Sequence, residues 1–232
     1  MKKTLRIIGI VLIVGVLLAT IIISMTKKDG SNTDKVWDQD MTMGNLDAKN
    51  YFIIYSDLAC PYCIFFENPI IEHEEDFKKY IEENDILLEV RLSDFLFEYG
   101  QHQSPASREG AIASYCAKDE GKFWDYYNLA VHTVYRDFFS GMGKAGLTDL
   151  DKTDKSYWIK LGKSIGLSNS FEKCINENAP LETIKERALK TTKLVDGMPY
   201  FKFNEYTFSG FDPNGDYDSV MMYMDAGLKS RK

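Results

Sequence analysis

The stretch YFIIYSDLACPYCIFFENPII (51–71) decides how this chain is read. Its first six residues are a nearly continuous apolar run bounded by polar neighbours, the pattern of a central strand buried on both faces. From Pro61 onward, Phe66, Ile70, Phe77 and Ile81 recur at helical spacing. They predict one helix reaching about Glu83, kinked at Pro69. Where strand hands over to helix stands Cys60-Pro61-Tyr62-Cys63. Cys60 takes the position that caps the helix, and Pro61 the first helical position, where its missing N–H is not needed. Unpaired backbone N–H groups and the positive end of the helix dipole then face the Cys60 sulfur and stabilise a thiolate. A stabilised thiolate leaves readily, so a Cys60–Cys63 disulfide would be easily reduced and oxidising toward the dithiols of other proteins. Zinc fits poorly, because a tetrahedral site wants a second close pair or nearby imidazoles, whereas Cys116 and Cys174 are distant and His73, His102 and His132 are scattered. A purely structural bridge across two residues closes almost no loop and stabilises little.

Outward from this stretch, ILLEVRL (86–92) reads as a second strand. From about Pro105 to Leu194 the chain turns helical, with segments at 105–119, 122–138, 153–164, 168–177 and 180–194 separated by breaks such as Asp119-Glu120-Gly121 and Gly166. Within them Phe123, Trp124, Tyr126 and Tyr127 read mostly as core. YFKFNEYTFSGF (200–211) alternates around Asn204-Glu205 as an antiparallel hairpin does, and a helix over about 214–229 closes the chain. The order strand, helix, strand, helical block, hairpin, helix is an α/β core holding a helical insertion. Asp149, Asp151 and Asp154 lack the glycine and glutamate of a calcium loop and read as helix caps. His73, Glu74 and Glu75 read as a solvated helix face, so no metal ligand set emerges.

Among the 232 residues, 28 Lys and Arg face 35 Asp and Glu, a net charge of -7, and 44% are hydrophobic. That composition excludes a disordered chain, and the acidity argues against a nucleic acid partner. Residues 7–25 (IIGIVLIVGVLLATIIISM) carry no charge and would span about 28 Å as a helix at ~1.5 Å per residue, close to the ~30 Å hydrocarbon core of a bilayer. The run is longer than the apolar region of a cleaved signal peptide and no small-residue cleavage site follows, so it reads as an uncleaved transmembrane anchor. Lys2, Lys3 and Arg6 ahead of it favour a cytoplasmic tail (1–6) and a domain outside, although Lys27 and Lys28 weaken the bias. The polar stretch opening with TKKDGSNTDK reads as a tether over 26–43, with ordered chain beginning inside it near Val36 or Trp37. Outside is the oxidising side, where cysteines can pair.

Beyond the CPYC stretch, Gly44-Asn45-Leu46-Asp47-Ala48, SYCAKDEGKFWDYYN (114–128), LGKSIGLSNSFEKCI (161–175) and VDGMPYFKF (195–203) together resemble the DsbA-like group of thioredoxin-fold proteins. The resemblance implies a thioredoxin-like domain (44–100 and 180–232) with a helical insertion (101–179), behind one transmembrane helix. Cys60 then matches the exposed nucleophile, Cys63 the buried resolving cysteine, and Pro61 and Tyr62 the loop between them. Pro199 matches a proline whose preceding peptide bond is cis, beside which the Met198 backbone binds an extended substrate. Cys116 and Cys174, otherwise readable as two buried free thiols, are implied to pair. The implied activity is extracytoplasmic thiol–disulfide exchange, introducing disulfides into secreted or surface proteins, with a quinone-linked membrane partner for re-oxidation and no metal or organic cofactor. The same site run backwards would be a reductase or isomerase, and a non-enzymatic tethered chaperone is the remaining alternative. No dimerisation segment is evident, so a monomer is expected.

Two residues depart from the group's pattern. Such proteins commonly carry a buried acid six residues before the first cysteine, and this chain has Ile54 there. Asp57 is nearer in sequence to Cys60 but reads as bonding the loop ahead of it. Met198 stands where Thr or Val is common, a position that tunes redox potential.

Overall fold

The computed structural model describes residues 37–101, 103–141, 146–195 and 197–230. The expected tail (1–6), anchor (7–25), first part of the tether (26–36) and His102 lie outside them. Among the described residues no helix is long and apolar enough to cross a membrane.

Five strands form one sheet in the order β1-β3-β2-β4-β5: β1 (Thr42–Met43), β2 (Asn50–Ser56), β3 (Ile86–Leu92), β4 (Tyr200–Phe203) and β5 (Tyr206–Ser209). The central β2 runs parallel to β3, with Tyr51 opposite Leu87 and Ser56 opposite Leu92, and antiparallel to β4, with Tyr55 opposite Tyr200. A parallel pair is covered by helices on both faces, which is why Phe52 through Ser56 are all buried and the run carries no alternation. Rings dominate the core on one side: Phe66 lies 4.2 Å from Phe201 and Phe52 5.4 Å from Phe203, measured between ring centroids. In the hairpin Asn204 adopts a left-handed φ of 50° and its side chain accepts the Tyr51 N–H at 3.0 Å, tying the turn back to β2. The last helix (Tyr217–Lys229) packs on the hairpin through Gly227, where a Cβ would approach a Phe203 ring carbon to 2.2 Å.

Two expectations need correction. The helix read over 61–83 is two helices, α1 (Pro61–Glu72) and α2 (Glu74–Glu83), separated by His73 at φ -116° and ψ 36°. Pro69 supplies no N–H for the preceding turn, and the chain bends at His73, whose own N–H still reaches the Pro69 carbonyl at 3.1 Å. The tether does not extend to residue 43. Gln39–Met41 form a 3-10 turn, Met41 is buried, and β1 pairs with Glu89 and Leu88 of β3, so apolar burial and two strand partners draw this end into the fold.

The helical block consists of α3 (Phe95–Glu98), α4 (Pro105–Lys118), α5 (Phe123–Val134), α6 (Gly146–Leu150), α7 (Lys155–Ser164), α8 (Asn169–Glu177) and α9 (Leu181–Thr192). Where the sequence suggested one helix over 122–138, α5 passes into a π turn at Tyr135–Phe139. Its aromatic side chains form a second packed region, with Tyr126 5.5 Å from Phe171 and Trp158 fully buried. A disulfide joins Cys116 of α4 to Cys174 of α8.

Candidate active site

The site is built at the carboxyl end of β2. Asp57 makes the turn: its Oδ1 accepts the Ala59 N–H at 2.9 Å, while Oδ2 accepts the Leu96 N–H at 2.8 Å and the Ser107 hydroxyl at 2.6 Å. Those bonds clamp the loop before Cys60 to α3 and α4, the loop-bonding role its position suggested. Burial pushes the Asp57 pKa up to about 6, against the pull of these donors. Cys60 follows as the cap of α1, its Sγ accepting the Cys63 N–H at 3.3 Å, with Pro61 opening the helix. Tyr62 between the cysteines is exposed, whereas both cysteines are buried, Cys63 fully and Cys60 with 2% of its surface accessible, so the exposed position expected for Cys60 is corrected: the turn ahead of it packs over its sulfur. Both cysteines are free thiols here. Burial raises the Cys63 pKa well above that of an ordinary thiol, helped by the neighbouring Cys60 and then by Glu67 and Asp57.

Because β2 ends where β4 begins, the Tyr55–Tyr200 register brings the turn before Cys60 and the segment before Tyr200 to the same end of the sheet. The Met198–Pro199 peptide there is cis. Pro199 is buried and its carbonyl accepts the Gly210 N–H at 3.1 Å, whereas among the described residues the Met198 backbone forms no hydrogen bond. Ile54, where an acid was sought, is a buried strand residue opposite Val90 and Phe201.

Sequence reasoning missed Glu67. It lies one helical turn beyond Cys63, buried, and the Tyr127 hydroxyl donates to its Oε2 at 2.5 Å while lying 3.0 Å from Ser56 Oγ. Its other oxygen, Oε1, is buried without a hydrogen-bond partner. Burial carries its pKa up to about 7. The available signal was a lone acid inside the apolar run IFFENPII (64–71), four residues from a cysteine on the same helix face. Tyr127, read as core, is a polar partner as well.

The remaining candidates take structural parts. His73 stacks on Tyr217 at 4.5 Å, and His132 Nδ1 lies 3.1 Å from Asn68 Oδ1. Asp154 caps α7 by accepting the Ser156 and Tyr157 N–H groups, Asp149 pairs with Lys152, and Asp151 accepts the Ser104 hydroxyl. Among the described residues no three His, Cys, Asp or Glu side chains are grouped to hold a metal ion.

Comparison with known proteins agrees with this architecture. The family profile described as Thioredoxin matches residues 37–226. A Rickettsia felis protein provisionally named a protein-disulfide oxidoreductase is 25% identical over 203 residues, covering 86% of this chain, and the chain spans 64% of that relative's length. Among solved structures, BdbD from Bacillus subtilis superposes with a TM-score of 0.58 at 17% identity, covering 82% of this chain and 92% of BdbD. The thiol-disulfide exchange protein alpha-DsbA2 from Wolbachia pipientis gives 0.57 at 17% identity, covering 87% and 92% respectively. With its DsbA-like fold and helical insertion, the chain belongs to the thioredoxin family.

Proposed function

We propose that this protein is a thiol–disulfide oxidoreductase that donates disulfides to cysteine-containing proteins through Cys60 and Cys63. The observation that carries the reading is the pair itself: Cys60 caps α1 and its sulfur accepts the Cys63 N–H, with both thiols free and the exposed Tyr62 between them. A substrate thiolate attacks Cys60 Sγ of the Cys60–Cys63 disulfide, that bond breaks, and its electron pair leaves on Cys63. A second substrate thiolate then attacks the substrate sulfur of the mixed disulfide and expels Cys60 as a thiolate. The substrate has lost two electrons and gained a disulfide, and the pair is left as a dithiol. The Met198 backbone, unbonded among the described residues and beside the cis Pro199, suits an extended substrate segment, which would add to it as a short strand and hold the mixed disulfide in line.

Helix N–H groups at Cys60 favour the reduced pair and so the oxidising direction. The Cys116–Cys174 disulfide supports an oxidising compartment. The apolar run 7–25 supports a membrane anchor holding the domain on the extracytoplasmic side, within reach of a quinone-linked membrane partner that returns Cys60–Cys63 to the disulfide. The test is the reduction potential of the pair in the full-length chain, equilibrated in glutathione buffers with all four cysteines followed by alkylation and mass. A value at or above about −150 mV is expected, and one at or below about −230 mV would overturn the oxidising direction and favour a reductase. Cys116–Cys174 is expected to stay oxidised in buffers that already reduce Cys60–Cys63.

A further inference from the structure

Opening the Cys60–Cys63 disulfide puts a negative charge on a sulfur that has no access to water, since Cys63 is fully buried. A buried, unpaired thiolate is costly, so the step needs a proton delivered from within the protein. Three positions near the pair come into question. Ile54, at the place where such folds commonly carry an acid, has no proton to give. Asp57 is buried close by, but its two oxygens are committed to Ala59, Leu96 and Ser107, and releasing them would unfasten the turn that holds Cys60. Glu67 is the third. It follows Cys63 by four residues on α1, a spacing that stacks side chains one turn apart with Cβ atoms about 5–6 Å from each other. One of its oxygens is held by the Tyr127 hydroxyl, and the other is buried with nothing bound to it.

We infer that Glu67 is the proton store of this site. Resting on the redox reading above, its protonated carboxyl gives a proton to Cys63 Sγ as the Cys60–Cys63 bond breaks and becomes a carboxylate. In the reverse step the carboxylate takes that proton back as Cys63 attacks the mixed disulfide. Tyr127 positions Glu67 and stays protonated, its own pKa raised well above that of an ordinary phenol by burial and then by the charge of Glu67. A carboxyl whose pKa is lifted to about 7 exists in both forms near neutrality, which suits a group that must give and take the same proton. The other ionisable groups facing this region are Cys60 and Cys63 on the same helix, Asp57 from the turn, Tyr127 from α5, and His132 with Glu72 reached through Asn68. Beyond them Tyr135 of the π turn lines the cleft beside Phe65 and Asn68, and Tyr217 of the last helix covers His73. Among the described residues no Lys or Arg pairs with Glu67.

The experiment is the rate at which dithiothreitol reduces the oxidised full-length protein, acid-quenched and read by mass, from about pH 5 to about pH 9. After correction for the thiolate fraction of dithiothreitol, the wild-type rate should fall as pH rises through about 7. Glu67→Gln should lose that bend and react at least about tenfold more slowly at pH 6. A Glu67→Gln variant with the wild-type rate and bend would overturn the assignment. If Glu67→Gln fails to fold, infrared spectra of the unmodified protein with isotope-labelled glutamate decide the matter. A buried glutamate carboxyl band that titrates near neutrality, with a midpoint that differs between the oxidised and reduced protein, is the expected result. No such band, or a midpoint indifferent to the redox state, would overturn it. Failure of dithiothreitol to reduce any Cys60–Cys63 disulfide would instead overturn the redox reading itself.

Discussion

A carboxyl held out of water keeps its proton longer, and in this protein two such groups flank one cysteine pair. Burial raises Glu67 to about 7 and Asp57 to about 6. Both folded-state values exceed the values of the unfolded chain, so the folded protein binds more protons between them. The stability they contribute is therefore complete below about pH 4 and is lost as pH rises through 6 and 7. For Glu67 alone the loss is on the order of 3–4 kcal/mol, from roughly 1.4 kcal/mol per pKa unit. Urea unfolding measured between about pH 4.5 and pH 8 should show falling stability, and Glu67→Gln should flatten much of the slope. A wild-type profile that is level or rising over this range would contradict the burial of these carboxyls in neutral form. Little of this was legible in the sequence, since a Glu among Phe and Ile looks like any polar interruption until its helix is packed. The placement of Cys60, Pro61 and Cys63 was legible because it depends on local order alone, a strand end followed by a helix start.

At the level of elements, β2 and β3 were readable because continuous apolar runs need no partner to be recognised, and both follow the expected spans to within one residue. The hairpin was readable from alternation around Asn204-Glu205. Short pieces that depend on tertiary contact were not: β1 has only two residues, α3 only four, and the π turn interrupts a periodicity that otherwise continues. The split between α1 and α2 was visible only as Pro69. The Cys116–Cys174 bridge binds α4 to α8 across a sequence separation of 58. Chain entropy assigns roughly 4 kcal/mol to a closed loop of that size. The double variant Cys116→Ala with Cys174→Ala should lose stability of that order in denaturant titration, with the Cys60–Cys63 potential unchanged. A loss below about 1 kcal/mol would show that the helical block needs no staple.

Across the whole molecule, one sheet end gathers the parts that the proposed exchange uses: the loop clamped by Asp57, the cap of α1, and the cis Met198–Pro199 turn ahead of β4. The helical insertion adds Tyr127 from α5 to the back of the site and Ser107 from α4 to its loop, so it helps to build the candidate site as well as the packing around it. That joint was not legible in the sequence, because Tyr127 and Glu67 stand 60 positions apart and meet only through packing. The central claim is that Cys60–Cys63 hands its disulfide to another protein. Its most direct measurement mixes the oxidised full-length chain with reduced, unfolded ribonuclease and follows thiols on both partners by alkylation and mass. The account predicts one substrate disulfide gained for each Cys60–Cys63 pair reduced, Cys116–Cys174 untouched, and no transfer by Cys60→Ser. Transfer by Cys60→Ser at the wild-type rate, or consumption of Cys116–Cys174 in place of Cys60–Cys63, would contradict it.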